Sequence, residues 1–206
     1  MNIKSSLNIL STLATRIKWI SETSLITEIN KEYLKLVSYT DDFFNIPYSI
    51  SVSGICQDLQ IIYSCSFIDE YEKLLTPIRY PNEAEEIIRL KNIVKPAYKK
   101  IKSWKDLKKL RNYIIAHNLR INGQSIFDLE EKIVINAPRR NGEYVLLAKL
   151  IFLITQNFQF VFPEIMKSIN PKDSLLNHID IQSEKTNSLE ELRQIEQEIE
   201  NNKRCY

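Results

Sequence analysis

Three glycines in 206 residues narrow what this chain can fold into more than any other feature. Sandwiches and barrels spend glycine on tight turns, bulges and left-handed backbone positions. A chain with only Gly54, Gly123 and Gly142 has little to build them with, so the shortage points to helices. Hydrophobic residues make up 44% of the chain and charged residues 26%, enough for one substantial core and a small appendage. The expectation is an all-α antiparallel helical bundle over residues 1–170. Residues 171–206 follow as a polar tail with a short amphipathic helix.

Periodicity places the helices. Ile3, Leu7, Leu10, Ala14 and Ile17 alternate in steps of four and three, which lines one helical face, and this first helix is predicted to end near Ile20. After Ser21 the pattern resumes with Ile26, Ile29, Tyr33 and Val37 and stops near Phe44, ahead of Pro47, which cannot continue a helix. The two helices are expected to form an antiparallel hairpin. A third stretch, 51–75, offers Ile55, Leu59, Ile62, Phe67, Tyr71 and Leu74 as core positions and is closed by Pro77 and Pro81. The fourth opens at Glu83 with an acidic first turn and ends in Lys99, Lys100 and Lys102, as the helix dipole favours; Pro96 should kink or divide it.

Ser103 and Asp106 resemble a capping box for a fifth helix that carries Leu107, Leu110, Ile114 and His117 along one side and has ended by Gly123. Residues 124–142 stay open. Ile133, Val134 and Ile135 favour extended backbone, whereas Pro138 and the Arg139-Arg140-Asn141-Gly142 run favour an exposed loop. A sixth helix over 143–169, interrupted by Pro163, should bury the most surface. Beyond Pro171 the chain is polar until Ser188, where Leu189, Leu192, Ile195 and Ile199 form a last helix with Ser188 and Glu191 as its capping box. That helix has two places to dock, the body or a partner.

Charge is unevenly spread. Residues 89–111 hold ten basic side chains and one acid, Asp106, a local charge of +9 in a chain of net +2, so the rest sums to −7. Such a stretch is either a solvated face or a track for phosphates, whose contacts would weaken with salt and carry little base preference. Lys102, Lys105, Lys108, Lys109 and Arg120 are the candidate RNA contacts. Trp104, Tyr98 and Tyr113 could stack on bases, although aromatics at helical spacing more often fill a core.

Cys56, Cys65 and Cys205 lack CxxC spacing and are odd in number, which suits neither a disulfide framework nor a thiolate metal site. They read as reduced thiols. The N-terminus begins a periodic pattern, not a basic segment followed by an unbroken apolar run, so no export is expected. The most apolar window, 144–162, contains Lys149, Gln156, Asn157 and Gln159 and reads as a buried helix, not a membrane span. The expected location is cytoplasmic. His178 has no second ligand at metal-binding spacing, and neither a GxSxG elbow nor a glycine-rich phosphate loop is present. No cofactor is expected.

Arg111 and His117 lie in or beside the core-facing stripe of the fifth helix, where a plain amphipathic helix would carry leucine. An arginine there needs a partner, and Asp69, Glu70 and Glu72 are the candidates. A histidine can take or deliver a proton near neutral pH. A guanidinium can fork onto a phosphate and stabilise charge growing on its oxygens, and Asn112 can orient either. Together these suit RNA cleavage by the adjacent 2′-hydroxyl. Six helical residues correspond to roughly 9 Å of rise and about 240° of turn, so one copy of the pair does not converge. A two-fold dimer would bring two pairs into one cleft.

Leu110-Arg111-Asn112-Tyr113-Ile114-Ile115-Ala116-His117-Asn118 resembles the Arg–polar–(four to six residues)–His signature of the HEPN superfamily, in the form found in abortive-infection members. The resemblance implies a HEPN-like helical bundle, commonly a homodimer. It also implies a metal-independent endoribonuclease of the toxin–antitoxin or phage-defence kind, with an antitoxin protein as a possible partner. Carried over, the catalytic residues are Arg111, His117 and the accompanying Asn112. Some HEPN toxins have a tyrosine two residues after the histidine as a target of inactivating modification; Leu119 stands there, and that regulation is not implied. The alternatives are a non-catalytic HEPN-like RNA-binding or protein-interaction module, and a plain helical adaptor.

Overall fold

The first helix, α1, spans Ile3–Ile29, and its expected stripe is its buried face: Ile3, Leu7, Leu10, Ala14 and Ile17 are all closed to solvent. The computed structural model describes residues 2–29, 48–115, 120–121, 124–125, 134–169 and 187–205. Contrary to the sequence reading, α1 does not break at Ser21. Its hydroxyl residues are absorbed instead of interrupting it: Thr15 and Thr23 each donate to the carbonyl four residues back, Ser11 and Trp19, at 2.9 Å. Most of the expected second helix, from residue 30 to 44, lies outside the described residues.

Helix α2, Tyr48–Lys73, forms where a helix was expected, but with a different face inward. Phe67 and Tyr71 are buried as expected, whereas Ile55 and Leu59 are exposed and Ile62 and Leu74 half-buried. The inner face instead carries Cys56, Gln60, Ile61, Ser64, Cys65 and Ile68. Apolar residues occur all around this helix, so periodicity could not choose among faces. Small residues at 64 and 65 allow a close approach, and Gln60 finds a polar partner by donating to the carbonyl of Tyr144.

A single 3-10 turn, Pro81–Glu83, leads into α3, Ala84–Ile93, and α4, Lys95–Ser103. Pro96 divides the fourth helix as anticipated. Having no N–H, it cannot donate to the carbonyl of Asn92; that carbonyl and the carbonyl of Ile93 accept hydrogen bonds from the Asn202 amide at 3.4 and 3.3 Å. Helix α5 covers Leu107–Ile115. The expected Ser103–Asp106 capping box does not form. Ser103 ends α4 and donates to the carbonyl of Lys100 at 2.7 Å, while the Asp106 carboxylate accepts from the backbone N–H of Asn136 at 2.9 Å. Asp106 still starts α5 through its carbonyl, which accepts from Leu110.

Two residues of β1, Arg120–Ile121, pair antiparallel with two of β2, Gln124–Ser125, in the register Arg120 to Ser125. They are the only extended pairing among the described residues. The 134–140 stretch is irregular, with Val134 exposed and Pro138 buried. Glu143 then accepts from the backbone N–H groups of Arg139 and Arg140 at 2.8 and 2.9 Å, fastening the start of α6, Asn141–Val161. Pro163 interrupts the expected long helix and opens α7, Pro163–Lys167.

The result is an all-α bundle with α6 at its centre. Ten α6 residues are buried, among them Leu147, Ile151, Ile154 and Phe158, and α1, α2, α3 and α4 all pack against it. By length and composition α6 could cross a membrane; half of its apolar stretch is buried inside the bundle. The last helix, α8, spans Asn187–Arg204 and docks on the body, with Ile195 and Ile199 buried against α3, α4 and α6.

Candidate functional site

Helix α5 packs along α2, and that contact brings the basic stretch against acids. Asp69 and Glu72 stand three apart on α2, one turn apart on one face. Arg111, on α5, donates from Nη1 to Asp69 Oδ2 at 3.0 Å. Its Nε and Nη2 both donate to Asn112 Oδ1, at 3.3 and 3.1 Å. Of the three acids considered for Arg111, the fold selects Asp69; Glu70 faces Ser6, and Glu72 takes other partners.

Lys108 bridges the two acids, donating to Asp69 Oδ1 at 2.8 Å and Glu72 Oε2 at 3.1 Å. Lys102 reaches Glu72 Oε1 at 2.8 Å, and Tyr98 donates its hydroxyl to the same oxygen. Lys73 adds a contact to Asp69 at 3.5 Å. Burial alone would raise the Glu72 carboxyl, but the hydrogen bonds from Lys102, Tyr98 and Lys108 outweigh it and bring its pKa down to about 2. Asp69 is lowered in the same way, burial being overcome by Lys108 and Arg111. Lys108 is raised, chiefly by its bond to Asp69. Both acids are therefore fully ionised at neutral pH.

A guanidinium has five N–H groups. Three of those on Arg111 are engaged, which leaves one on Nη1 and one on Nη2 without an acceptor among the described residues. The side chain is 27% exposed, so part of the Arg111 side chain meets solvent. Asn112 is exposed beside it. His117 lies outside the described residues, as does His178.

The basic candidates divide into two groups. Lys102 and Lys108 are committed to Glu72 and Asp69, whereas Lys105 and Lys109 are exposed and form no ion pair with a described residue; Lys109 lies over the Tyr113 ring at 5.8 Å. Arg120 opens β1, its backbone paired with Ser125. Elsewhere in the stretch, Lys100 pairs with Glu191 of α8 at 2.8 Å and Lys91 lies 5.3 Å over the Tyr71 ring. Two of the three candidate stacking aromatics serve the interior. Trp104 is 8% exposed with Lys100 over its ring at 5.5 Å, and Tyr98 packs on Tyr71 with ring centres 4.9 Å apart.

The sequence offers Glu72 as a partner for Arg111, but not as the acceptor shared by Tyr98, Lys102 and Lys108. Its signal is the i, i+3 acid pair facing the basic stretch at residues 89–111, and only the contacts of α2 with α4 and α5 give it meaning. Beneath the clasp, Cys65 is fully buried and donates to the carbonyl of Leu107 at 3.6 Å. Burial pushes its thiol pKa up to about 11, which leaves it a packing residue, not a nucleophile. Among the described residues no group of three or more His, Cys, Asp or Glu side chains is arranged to hold a metal. No family model matches the chain, and neither the curated proteins nor the solved structures give a match.

Proposed function

We propose that this chain is a HEPN-type, metal-independent endoribonuclease of the toxin–antitoxin or phage-defence kind, cutting RNA at a cleft shared by two copies. Arg111, Asn112 and His117 of each copy form the site. The observation that carries this reading is the Arg111 guanidinium, held on one edge by Asn112 and on Nη1 by Asp69, with two N–H groups that have no acceptor among the described residues. Those two groups suit a phosphate whose oxygens gain charge as the 2′-oxygen bonds to phosphorus and the bond to the 5′-oxygen breaks. His117 takes the 2′-hydroxyl proton or delivers one to the leaving oxygen. Lys105, Lys109 and Arg120 contact neighbouring phosphates. The partners are RNA, a second copy and an antitoxin protein, in the cytoplasm and away from membranes, and no cofactor is called for.

A second reading is a non-catalytic HEPN-like RNA-binding or protein-interaction module. It is favoured by the same Arg111–Asp69 bond, since an arginine that only fastens α5 to α2 would make it too. The test is cleavage of a mixed-sequence single-stranded RNA in excess chelator by the wild type, Arg111→Ala and His117→Ala. The nuclease reading expects each variant to lose about a hundredfold or more in rate. Equal cleavage by all three, or none by the wild type, discards it.

A further inference from the structure

We propose that Asp69 is a positioning residue of the same site, acting on RNA cleavage through Arg111 by fixing its guanidinium from a second helix. This rests on the ribonuclease reading. Asn112 is the next residue along α5 and holds the Nε and Nη2 edge. A neighbour on one helix leaves the long arginine side chain free to swing with that helix. Asp69 stands 42 residues away on α2 and fixes Nη1, so the plane is held at two points on two elements. Asp69 is itself held: Lys108 and Lys73 occupy its other oxygen at 2.8 and 3.5 Å. An orientation fixed before RNA arrives need not be found during the reaction.

The same carboxylate has an opposite effect on binding. It places a negative charge against a guanidinium that must attract phosphate, which weakens the ground-state complex. Asp69 thus trades affinity for geometry. Asp69→Asn keeps the shape and removes the charge. It should lower kcat by about ten- to a hundredfold while KM for the single-stranded RNA falls. A purely structural residue, lost by the variant through partial unfolding, would lower kcat without lowering KM.

The deciding measurement is a double-mutant cycle. In an Arg111→Ala background, assayed at high enzyme concentration so that its residual rate is measurable, Asp69→Asn should have no further effect on kcat. If Asp69→Asn fails to fold, as read by circular dichroism, Asp69→Glu is used; moving the charge by one methylene should also lower kcat, again only when Arg111 is present. A kcat that survives the Asp69 change, or that falls equally in both backgrounds, overturns the role of Asp69 and leaves the ribonuclease reading standing. A wild type that cleaves no RNA, or an Arg111→Ala variant as active as wild type, overturns both.

Discussion

Glu72 accepts hydrogen bonds from Tyr98 and Lys102 on α4 and from Lys108 on α5, so one carboxylate joins three helices. Its ordinary pKa of 4.5 is lowered to about 2. A depressed carboxyl contributes stability that is present above its unfolded value and is lost as pH falls through its folded value. The window is therefore roughly pH 5 to 2. With the side chain 29% exposed, solvent screens part of the effect. We expect Glu72→Gln to cost about 1–2 kcal/mol at pH 7, or roughly 2–8 °C in Tm. Thermal melts across pH check this: the two curves should converge as pH approaches 2, and parallel curves would exclude the assignment. Individual partners were only partly legible beforehand. An arginine on a half-buried stripe demands an acid, and Asp69 was among the three candidates; choosing it required knowing which side of α2 faces α5.

Among the elements, punctuation by proline is legible in the sequence and punctuation by hydroxyl residues is not. Pro96 and Pro163 remove an N–H and act wherever a helix meets them. Ser21 ends nothing in α1, and Thr15 and Thr23 in the same helix return their hydroxyl hydrogen bonds to the preceding turn. The inner face of α2 differs from the expected one for another reason: a helix apolar on every side marks no preferred face, and packing against α1 and α6 decides which side closes. The last helix was legible as amphipathic, but its docking place was not. That docking can be tested by Ile199→Ala, since Ile199 is 2% exposed. The truncation should cost about 2–4 kcal/mol. Because α8 is fastened to the body mainly by Ile195, Ile199, the Lys100–Glu191 pair and Asn202, hydrogen exchange should quicken first across α8. Exchange that quickens evenly through α6 instead would show that α8 does not open separately.

For the whole molecule, the glycine shortage and the helical periods led to the right class, an all-α bundle with a central helix near residue 150. Composition also overstated the basic stretch. Its local charge of +9 is partly neutralised within the fold by Asp69, Glu72 and Glu191, which sequence distance concealed. The proposed shared cleft makes a demand on assembly. Mass measurement by light scattering should return a dimer at micromolar concentration, and a strict monomer would remove the two-copy site.

Trp104 closes the joint between α4 and α5, buried at 8% exposure under the Lys100 ammonium. The chain has one other tryptophan, Trp19, which is 39% exposed on α1. The two indoles therefore differ in how much solvent they meet, and Trp104 is expected to supply the blue-shifted part of the emission. Lys100 also holds Glu191, and Lys102, two residues from Trp104, holds Glu72. The molecule thus carries an optical gauge of the joint between its acid clasp and its last helix, readable without any label.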